Sequence, residues 1–173
     1  MAEQAALVTA GGIEVPVTNP GKVYFPAIGL TKLELVQYYL AVGEGALRGV
    51  ANRPMVLKRF VDGIGAPPFF QKRAPPKLPP YVRTARVTFP SGRWANLPVI
   101  DSLAGLAWAV NLGCIDLNPW PVRADDVEHP DELRFDLDPT PEADFGQVKE
   151  AALLVGELLR AYGMEGYPKT SGS

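Results

Sequence analysis

The stretch DELRFDLDPTP, residues 131–141, carries Asp136 and Asp138 in a short apolar run that ends at a proline. Residues 132–138 alternate apolar and polar side chains, which is the period of a half-buried strand. The apolar face is expected to pack on a core through Leu133, Phe135 and Leu137. The two aspartates then emerge side by side, about 7 Å apart along the backbone. The stretch therefore predicts a strand with two carboxylates on one face.

The chemistry of this carboxylate pair depends on whether a cation lies between the two groups. Two carboxylates this close repel each other without one. Mg²⁺ and Mn²⁺ prefer carboxylate oxygens, and two such ions about 3.5–4 Å apart can clamp an in-line phosphoryl transfer. A solvated surface pair and a cation site for nucleotide-sugar transfer are the alternatives. The Asp-x-Asp pattern alone leaves all three open.

Composition limits the class of protein. The chain has 173 residues, of which 47% are apolar, so a single domain with a core is expected and disorder is not. No apolar run reaches the roughly 18 residues that a membrane span needs, and the N-terminus shows no signal peptide. A cytoplasmic protein with no membrane partner is predicted. The single cysteine, Cys114, is expected to pack as a small hydrophobe, and a single histidine excludes a multi-histidine zinc site.

Charge is unevenly distributed, although the formal net charge is only −2. Residues 53–93 contain nine Lys or Arg and one acid, whereas residues 94–173 contain five basic and fourteen acidic residues. A basic segment beside an acidic one suits a protein that binds phosphates with one part and cations with another. Ordinary solvated surface produces the same asymmetry, so this pattern needs support from motifs.

Hydrophobic periodicity predicts three helices and six strands. The helices cover 30–47, 101–113 and 144–163, with Thr31, Asp101 and Asp144 as N-caps and with Glu34 and Gln147 completing capping boxes. The strands are 54–60, 86–89, 95–100, 114–118, 132–138 and 165–170. The apolar stripe of the third helix is expected to pack in the core. Without a strict βαβ alternation, these elements predict an α+β fold with helices packed on mixed or antiparallel sheets.

Several longer motifs resemble a known family. GCIDLNPWPVRADDVEHPDEL precedes the aspartates, and a capped helix and GYPKTSGS follow them. VTNPGKVYFP, TKLELVQYY, RPMVLKRFVDGI and PPFFQKRAP come earlier in the chain, in that order. From about Val17 to Ser173, the chain resembles the polymerase domain of bacterial DNA ligase D and its stand-alone relatives, in the archaeo-eukaryotic primase superfamily. The resemblance implies a primase-polymerase fold with an N-terminal extension (1–16), a DNA-binding portion (17–100) and the start of a catalytic core (101–173).

The resemblance also implies a function. The implied function is that of a template-directed DNA or RNA nucleotidyltransferase for DNA repair, either gap filling or non-homologous end joining. Asp136 and Asp138 match its catalytic, metal-binding aspartates, which hold two Mn²⁺ or Mg²⁺ ions in a complete site. The implied partners are gapped or broken DNA with a 5′-phosphate, nucleoside triphosphates, Ku and a DNA ligase. A location in the bacterial cytoplasm, associated with the nucleoid, is expected.

The same resemblance assigns three further groups of residues. The nucleotide-binding group, in the KTSGS motif, is Ser171, Gly172 and Ser173. The group that binds the 5′-phosphate of DNA is Asn19, Lys22 and Lys32, with solvated surface lysines as the alternative. The template-binding group is Lys58, Arg59, Phe69 and Phe70. For the two phenylalanines, the alternative places one in the core and the other under the Pro-rich loop 73–82.

Two features depart from the family pattern. The family domain is longer and places a third metal-binding aspartate and a histidine beyond the last motif. The chain is therefore expected to be the truncated N-terminal part of a single domain, with little or no polymerase activity of its own. Asn118 stands near a position where many end-joining members have histidine, which favours the gap-filling relatives. The competing expectation is a non-catalytic module that binds the 5′-phosphate of a DNA end or gap.

Overall fold

The computed structural model describes residues 5–169. The chain divides into two compact units, Met1–Leu133 and Arg134–Ser173. The first unit contains all the described strands and three helices, and the second contains one helix. No helix among the described residues is long and apolar enough to cross a membrane. The predicted division at residues 17–100 and 101–173 stays a prediction.

The fold is α+β, as predicted, and residues 5–169 form small antiparallel sheets and four helices. The strands are β1 (Ala6–Ala10), β2 (Ile13–Val17), β3 (Val23–Phe25), β4 (Leu30–Thr31), β5 (Met55–Arg59), β6 (Phe69–Gln71), β7 (Arg83–Thr88), β8 (Trp94–Val99), β9 (Cys114–Pro119), β10 (Val122–Arg123) and β11 (Asp126–Pro130). The helices are α1 (Lys32–Ala41), α2 (Gly43–Val50), α3 (Leu103–Asn111) and α4 (Phe145–Ala161). Four sheets pair consecutive strands, namely β1–β2, β3–β4, β7–β8 and β10–β11, and a three-stranded sheet has the order β6-β5-β9.

Helix α3 lies at the centre of the first unit. All its residues from Ala104 to Val110 are buried, and they pack among side chains of β2, α1 and α2. A helix that is apolar on every side must be enclosed by other elements. The buried Cys114, which starts β9, belongs to the same core, and burial raises the pKa of its thiol to about 12. This confirms the predicted packing of Cys114 as a hydrophobe. Because α3 is enclosed by the core, the position of the C-terminal end of α3 is set by the elements around it.

The first two predicted helices form with corrected ends. The capping box of Thr31 and Glu34 is confirmed, but residues 30–47 form two helices rather than one, divided at Val42. The second helix starts at Gly43, where an added Cβ would press against a methyl group of Leu103, so a larger residue there would require the Leu103 side chain to move.

Asp101 as the N-cap of α3 is wrong. Its neighbour Ser102 caps the helix instead, with its Oγ accepting from the Gly105 amide at 3.1 Å. The carboxylate of Asp101 accepts hydrogen bonds from the Arg83 side chain and the Asn52 backbone amide. These tertiary donors occupy the oxygens that the cap would have used.

The predicted strand over 132–138 is wrong. Residues 132–140 have irregular backbone, and Leu133 and Phe135 are 64% and 49% exposed. A strand is stable only when its backbone groups pair with a neighbouring strand. No strand between residues 5 and 169 pairs with this segment, so alternation of side chains alone does not produce one. The predicted strand 165–170 is also irregular over its described residues, 165–169.

Helix α4 has its predicted start but not its predicted burial. Asp144 and Gln147 form the capping box as expected. No residue of α4 is buried, although its predicted core stripe includes Leu158, which is 53% exposed. Core packing of this stripe is therefore wrong for the described residues. Within the described part of the second unit α4 is the only helix or strand, so the apolar stripe has no second layer to pack against.

A buried arginine, Arg53, donates hydrogen bonds to two acidic residues near the C-terminal boundary of the first unit. Arg53 is 2% exposed, and its guanidinium donates to both carboxylate oxygens of Asp131, at 2.7 and 2.9 Å. Glu132 accepts from the same guanidinium, and Arg123 donates to Asp131 at 2.6 Å. Bidentate, charge-assisted bonds of this kind are among the stronger polar contacts in proteins. The hydrogen bonds from Arg53, followed by those from Arg123, lower the pKa of Asp131 to about 2.

Asp131 should therefore make the first unit sensitive to acid. Because its folded pKa lies below its ordinary value of 3.8, the stability it provides is present above that value and is lost as the pH falls toward about 2. Asp131→Asn is expected to lower the urea midpoint at pH 7 and to flatten its fall between about pH 4 and pH 2.5. Urea titrations at pH 7, 4 and 2.5 check this. Glu14→Gln, which replaces an exposed carboxylate, is the control. An equally steep fall in the variant would contradict the assignment.

Candidate nucleic-acid interface

A cleft of about 210 Å³ in the first unit brings together basic side chains from separate parts of the chain. Asn19 and Lys22 come from the turn after β2, Lys32 is the first residue of α1, and Arg59 is the last residue of β5. Three of these four, Asn19, Lys22 and Lys32, are the residues predicted to bind the 5′-phosphate of DNA. The structure brings them together, and their role stays a prediction.

Backbone hydrogen bonds hold the turn against the start of α1. Asn19 has a φ of 47°, in the left-handed region that Asn adopts more readily than most residues. Its carbonyl accepts from the Lys22 amide at 3.1 Å, and the Lys22 carbonyl accepts from the Lys32 amide at 2.8 Å. These bonds join the backbone of both lysines, so the two side chains start from adjacent points.

Lys32 is a buried cation without a carboxylate partner. The residue is 5% exposed, and its Nζ lies 3.4 Å from Thr18 Oγ1 and 3.5 Å from Asn111 Oδ1. Among residues 5–169 no carboxylate is within ion-pair distance of it. Burial lowers the pKa of Lys32, and the positive charges of Lys22 and Arg59 lower it further. Buried lysines are ordinarily paired, so an anion in the cleft would supply a charged partner that the described residues do not.

The other two cations of the cleft are held by neutral or exposed groups. Lys22 Nζ donates to the Val61 carbonyl at 2.7 Å and to the exposed carboxylate of Asp62 at 3.0 Å. An exposed ion pair is weak, so this ammonium can turn toward a stronger anion. Arg59 donates to the Leu112 carbonyl at 2.8 Å and to the Gln71 side chain at 2.7 Å. Its positive charge is therefore not neutralised by either contact.

The four predicted template-binding residues form two pairs across β5 and β6. Lys58 lies opposite Phe70, and Arg59 lies opposite Phe69. Neighbouring residues of a strand face opposite sides of a sheet, so the two pairs lie on opposite faces. Lys58 Nζ is 5.9 Å from the Phe70 ring centre, and Arg59 Cζ is 5.2 Å from that of Phe69. Lys58 and Phe70 therefore lie on the face of the sheet opposite to the one that carries Arg59 and the cleft.

Both phenylalanines are accessible. Phe69 is 47% exposed and Phe70 is 56% exposed, so the alternative that places one of them in the core is wrong. Lys58 also donates to Asp116 at 2.6 Å, which holds its ammonium near the Phe70 ring. An exposed aromatic ring with an adjacent cation is a common platform for an unpaired base. The role of these residues in template binding stays a prediction.

Asp136 and Asp138 lie in the irregular segment of the second unit, and both are exposed. No group of three or more potential ligands in the described part of the chain is arranged to hold a metal ion. Two accessible carboxylates nevertheless fit a hydrated Mg²⁺ or Mn²⁺, which proteins often bind through one or two carboxylates together with substrate phosphates. The predicted nucleotide-binding residues, Ser171, Gly172 and Ser173, lie outside the described residues.

Two polar residues of the cleft were missed by sequence reasoning. Asn111, the last residue of α3, accepts hydrogen bonds through Oδ1 from the backbone amide of Thr18 at 2.9 Å and from its hydroxyl at 3.2 Å. The two residues are 93 positions apart in the chain. The only local signal is a polar residue at the end of an otherwise apolar helix.

The comparisons with known proteins define the family to which this chain belongs. The sequence model described as "LigD, primase-polymerase domain" matches residues 31–173, and the chain belongs to this family. The family comprises metal-dependent, DNA-directed nucleotidyltransferases.

The individual relatives that match this sequence are bacterial proteins of non-homologous end joining. The multifunctional non-homologous end joining DNA repair protein LigD of Mycobacterium tuberculosis is 35% identical over 175 residues, covering 92% of this chain and 22% of the relative. LigD of Pseudomonas aeruginosa is 34% identical over 165 residues, which cover 95% of the chain and 19% of the relative. The chain therefore spans about a fifth of the length of these relatives.

A solved structure has the same fold. The polymerase domain of Mycobacterium tuberculosis Ligase D in complex with DNA superposes with a TM-score of 0.78 at 34% identity. The match covers 92% of this chain and 58% of that domain. This likeness confirms the predicted primase-polymerase fold, and the neighbour itself binds DNA.

Proposed function

We propose that the whole protein is a template-directed nucleotidyltransferase that repairs DNA gaps or ends and locates them by their 5′-phosphate. The observation that carries this proposal is the buried, carboxylate-free Lys32 in a cleft that also contains Lys22 and Arg59. A terminal phosphate carries more negative charge than the phosphodiesters of the duplex. A cluster of cations in which the described carboxylates pair only with Lys22, through the exposed Asp62, therefore favours the end of a strand over its interior.

The residues of the three-stranded sheet support contact with a template. Arg59 on β5 lines the phosphate cleft, and Lys58 and Phe70 offer a cation and an exposed ring on the opposite face of the same sheet. Stacking of a base on an aromatic ring contributes about 1–3 kcal/mol and tolerates any base. The template strand is proposed to contact Phe70. Arg59 and Phe69, on the opposite face of the sheet, are proposed to contact the downstream strand.

Asp136 and Asp138 are the proposed ligands for Mn²⁺ or Mg²⁺. When bound, the metal supplies activation of the attacking hydroxyl and stabilisation of the leaving phosphate. Ser171, Gly172 and Ser173 are proposed to contact the triphosphate of the incoming nucleotide. Because the relatives are end-joining proteins, Ku and a DNA ligase are proposed as partners, and the nucleoid as the location.

Equilibrium binding to gapped DNA tests the recognition step. Fluorescence anisotropy compares duplexes with a short gap that differ only in a 5′-phosphate or a 5′-hydroxyl at the downstream edge. One or two additional charge-assisted hydrogen bonds predict about ten- to a hundredfold tighter binding of the phosphorylated duplex. Affinity should fall steeply between about 50 and 200 mM salt, because phosphate contacts release counterions. Equal affinity for both duplexes would contradict the proposal.

One observation favours a second candidate, a non-catalytic module that binds the 5′-phosphate. All residues that line the cleft belong to the first unit, and none belongs to the segment with Asp136 and Asp138. The two candidates predict the same binding result but differ in chemistry. Nucleotide addition to a primer that requires a divalent metal supports the polymerase. Binding without any such addition, in a protein with the complete domain, supports the module.

Arg59 has a prediction of its own, because it lies in the cleft rather than beside Phe70. Arg59→Gln is expected to reduce the preference for 5′-phosphorylated gaps about threefold to tenfold, since one of three cations is lost. Affinity for a primer-template with no downstream strand should change by less than about twofold. The same anisotropy assay with both substrates measures this. A loss confined to the primer-template would return Arg59 to the template path.

A further inference from the structure

The C-terminal end of α3 supports two cations of the phosphate cleft. The Leu112 carbonyl, directly after the helix, accepts from Arg59 Nε at 2.8 Å. Asn111 Oδ1 lies 3.5 Å from Lys32 Nζ and accepts two hydrogen bonds from Thr18. The carbonyl end of a helix also carries partial negative charge that attracts cations. Because Ala104–Val110 of α3 are buried in the core, the elements packed around the helix hold these two acceptors in position.

The side chain of Asn111 is positioned by a donor that cannot change its role. The backbone amide of Thr18 can only donate, so the atom 2.9 Å from it must be the carbonyl oxygen of Asn111. Lys32 Nζ donates to the same oxygen at 3.5 Å and to the Thr18 hydroxyl at 3.4 Å. One neutral oxygen thus anchors both the loop that leads to Asn19 and the buried ammonium.

We infer that Asn111 is a positioning and specificity-determining residue of the cleft, because its neutral amide holds Thr18 and Lys32 in place without neutralising Lys32. Aspartate has the same shape and would accept the same hydrogen bonds. It would also form an ion pair with the ammonium and occupy the charge that the cleft offers to an anion. The uncharged acceptor leaves that charge for a terminal phosphate. This inference rests on the proposed recognition of a 5′-phosphate.

Two substitutions at this position separate charge from shape. Asn111→Asp keeps the acceptor and adds a negative charge, whereas Asn111→Ala removes the acceptor and adds none. The measured quantity is the ratio of the dissociation constants for gapped DNA with a 5′-hydroxyl and with a 5′-phosphate. Asn111→Asp is expected to lower this ratio about tenfold or more, and Asn111→Ala about two- to fivefold. A purely structural role predicts the reverse order, with aspartate close to wild type.

Matched controls distinguish this inference from the proposed function. Lys32→Gln tests the proposed recognition directly, and Lys77→Gln, an exposed lysine that does not line the cleft, should keep the wild-type ratio. A wild-type ratio near one would overturn the proposed function. A ratio that falls in Lys32→Gln but stays at the wild-type value in Asn111→Asp would overturn the inference alone. If Asn111→Asp does not fold, an unchanged ratio in Asn111→Ala overturns it by itself.

Discussion

Replacing Asp136 by alanine is expected to lower nucleotide addition about a thousandfold in a protein with the complete polymerase domain, because a metal ligand provides several kcal/mol of transition-state stabilisation. DNA affinity should stay within about twofold, since the cleft residues lie in the other unit and do not depend on this carboxylate. Single-turnover primer extension measures the rate, and anisotropy measures binding. The combination of lost chemistry and retained binding is the expected signature.

The control for this substitution is Glu142→Gln. Glu142 is an exposed carboxylate six positions from Asp136, in the turn that follows the irregular segment, and it is not a proposed metal ligand. Its replacement should leave the extension rate unchanged. Wild-type activity in Asp136→Ala would remove this residue from the site. An equal loss in both variants would mean that the segment tolerates no change, rather than that one carboxylate binds a metal.

Replacing Lys32 by glutamine is expected to reduce the preference for a 5′-phosphorylated gap about tenfold to a hundredfold, which is the value of one or two charge-assisted hydrogen bonds. The effect should be large because Lys32 is buried and its charge is poorly screened by solvent. Thr18 and Asn111 would remain hydrogen bonded to each other, so the fold should be retained. Anisotropy with the two gapped duplexes measures the preference.

Lys77→Gln is the matched control for Lys32→Gln. Lys77 is an exposed lysine of the same basic segment, between β6 and β7, and does not line the cleft. Its removal should weaken binding to both duplexes equally and reduce the salt dependence slightly. If Lys32→Gln behaved in the same way as Lys77→Gln, Lys32 would be an ordinary phosphodiester contact. The cleft would then have no selectivity for a strand end.

Features that depend on a few adjacent residues were predictable from the sequence. The capping boxes at Thr31 and Asp144 form because each needs only a side chain and a backbone amide three residues apart. Four strands, β5, β7, β8 and β9, were also found within a few residues of their ends, since β-branched and apolar runs bounded by turns mark them, whereas β1, β2 and β3, which also contribute to the core, were missed. Local hydrogen bonding and burial decide these features before tertiary structure does.

Features that depend on distant partners were not predictable from patterns alone. The alternation in 132–138 indicates which side chains could share a face, but a strand also needs a neighbour, and none is present among the described residues. Asp101 and Ser102 are both good N-caps, and only the positions of Arg83 and Asn52 decide between them. In each case a contact from elsewhere in the chain determines the outcome.

The candidate site shows the same division. The family resemblance identified Asn19, Lys22 and Lys32, and the structure places them in one cleft. Neither the burial of Lys32 nor its contact with Asn111 can be read from the sequence, because the second depends on residues 79 positions apart. The placement of Arg59 on the cleft side of β5 follows from strand geometry only once its partner strands are known.

Templated extension across a gap tests whether the protein is a metal-dependent, template-directed nucleotidyltransferase. A protein with the complete domain is given gapped DNA, one of the four nucleotides at a time, and Mn²⁺ or a chelator. We expect addition of the nucleotide that pairs with the template, only with metal, and faster when the downstream edge carries a 5′-phosphate. Failure to add any nucleotide, or addition that is indifferent to the template, would contradict it.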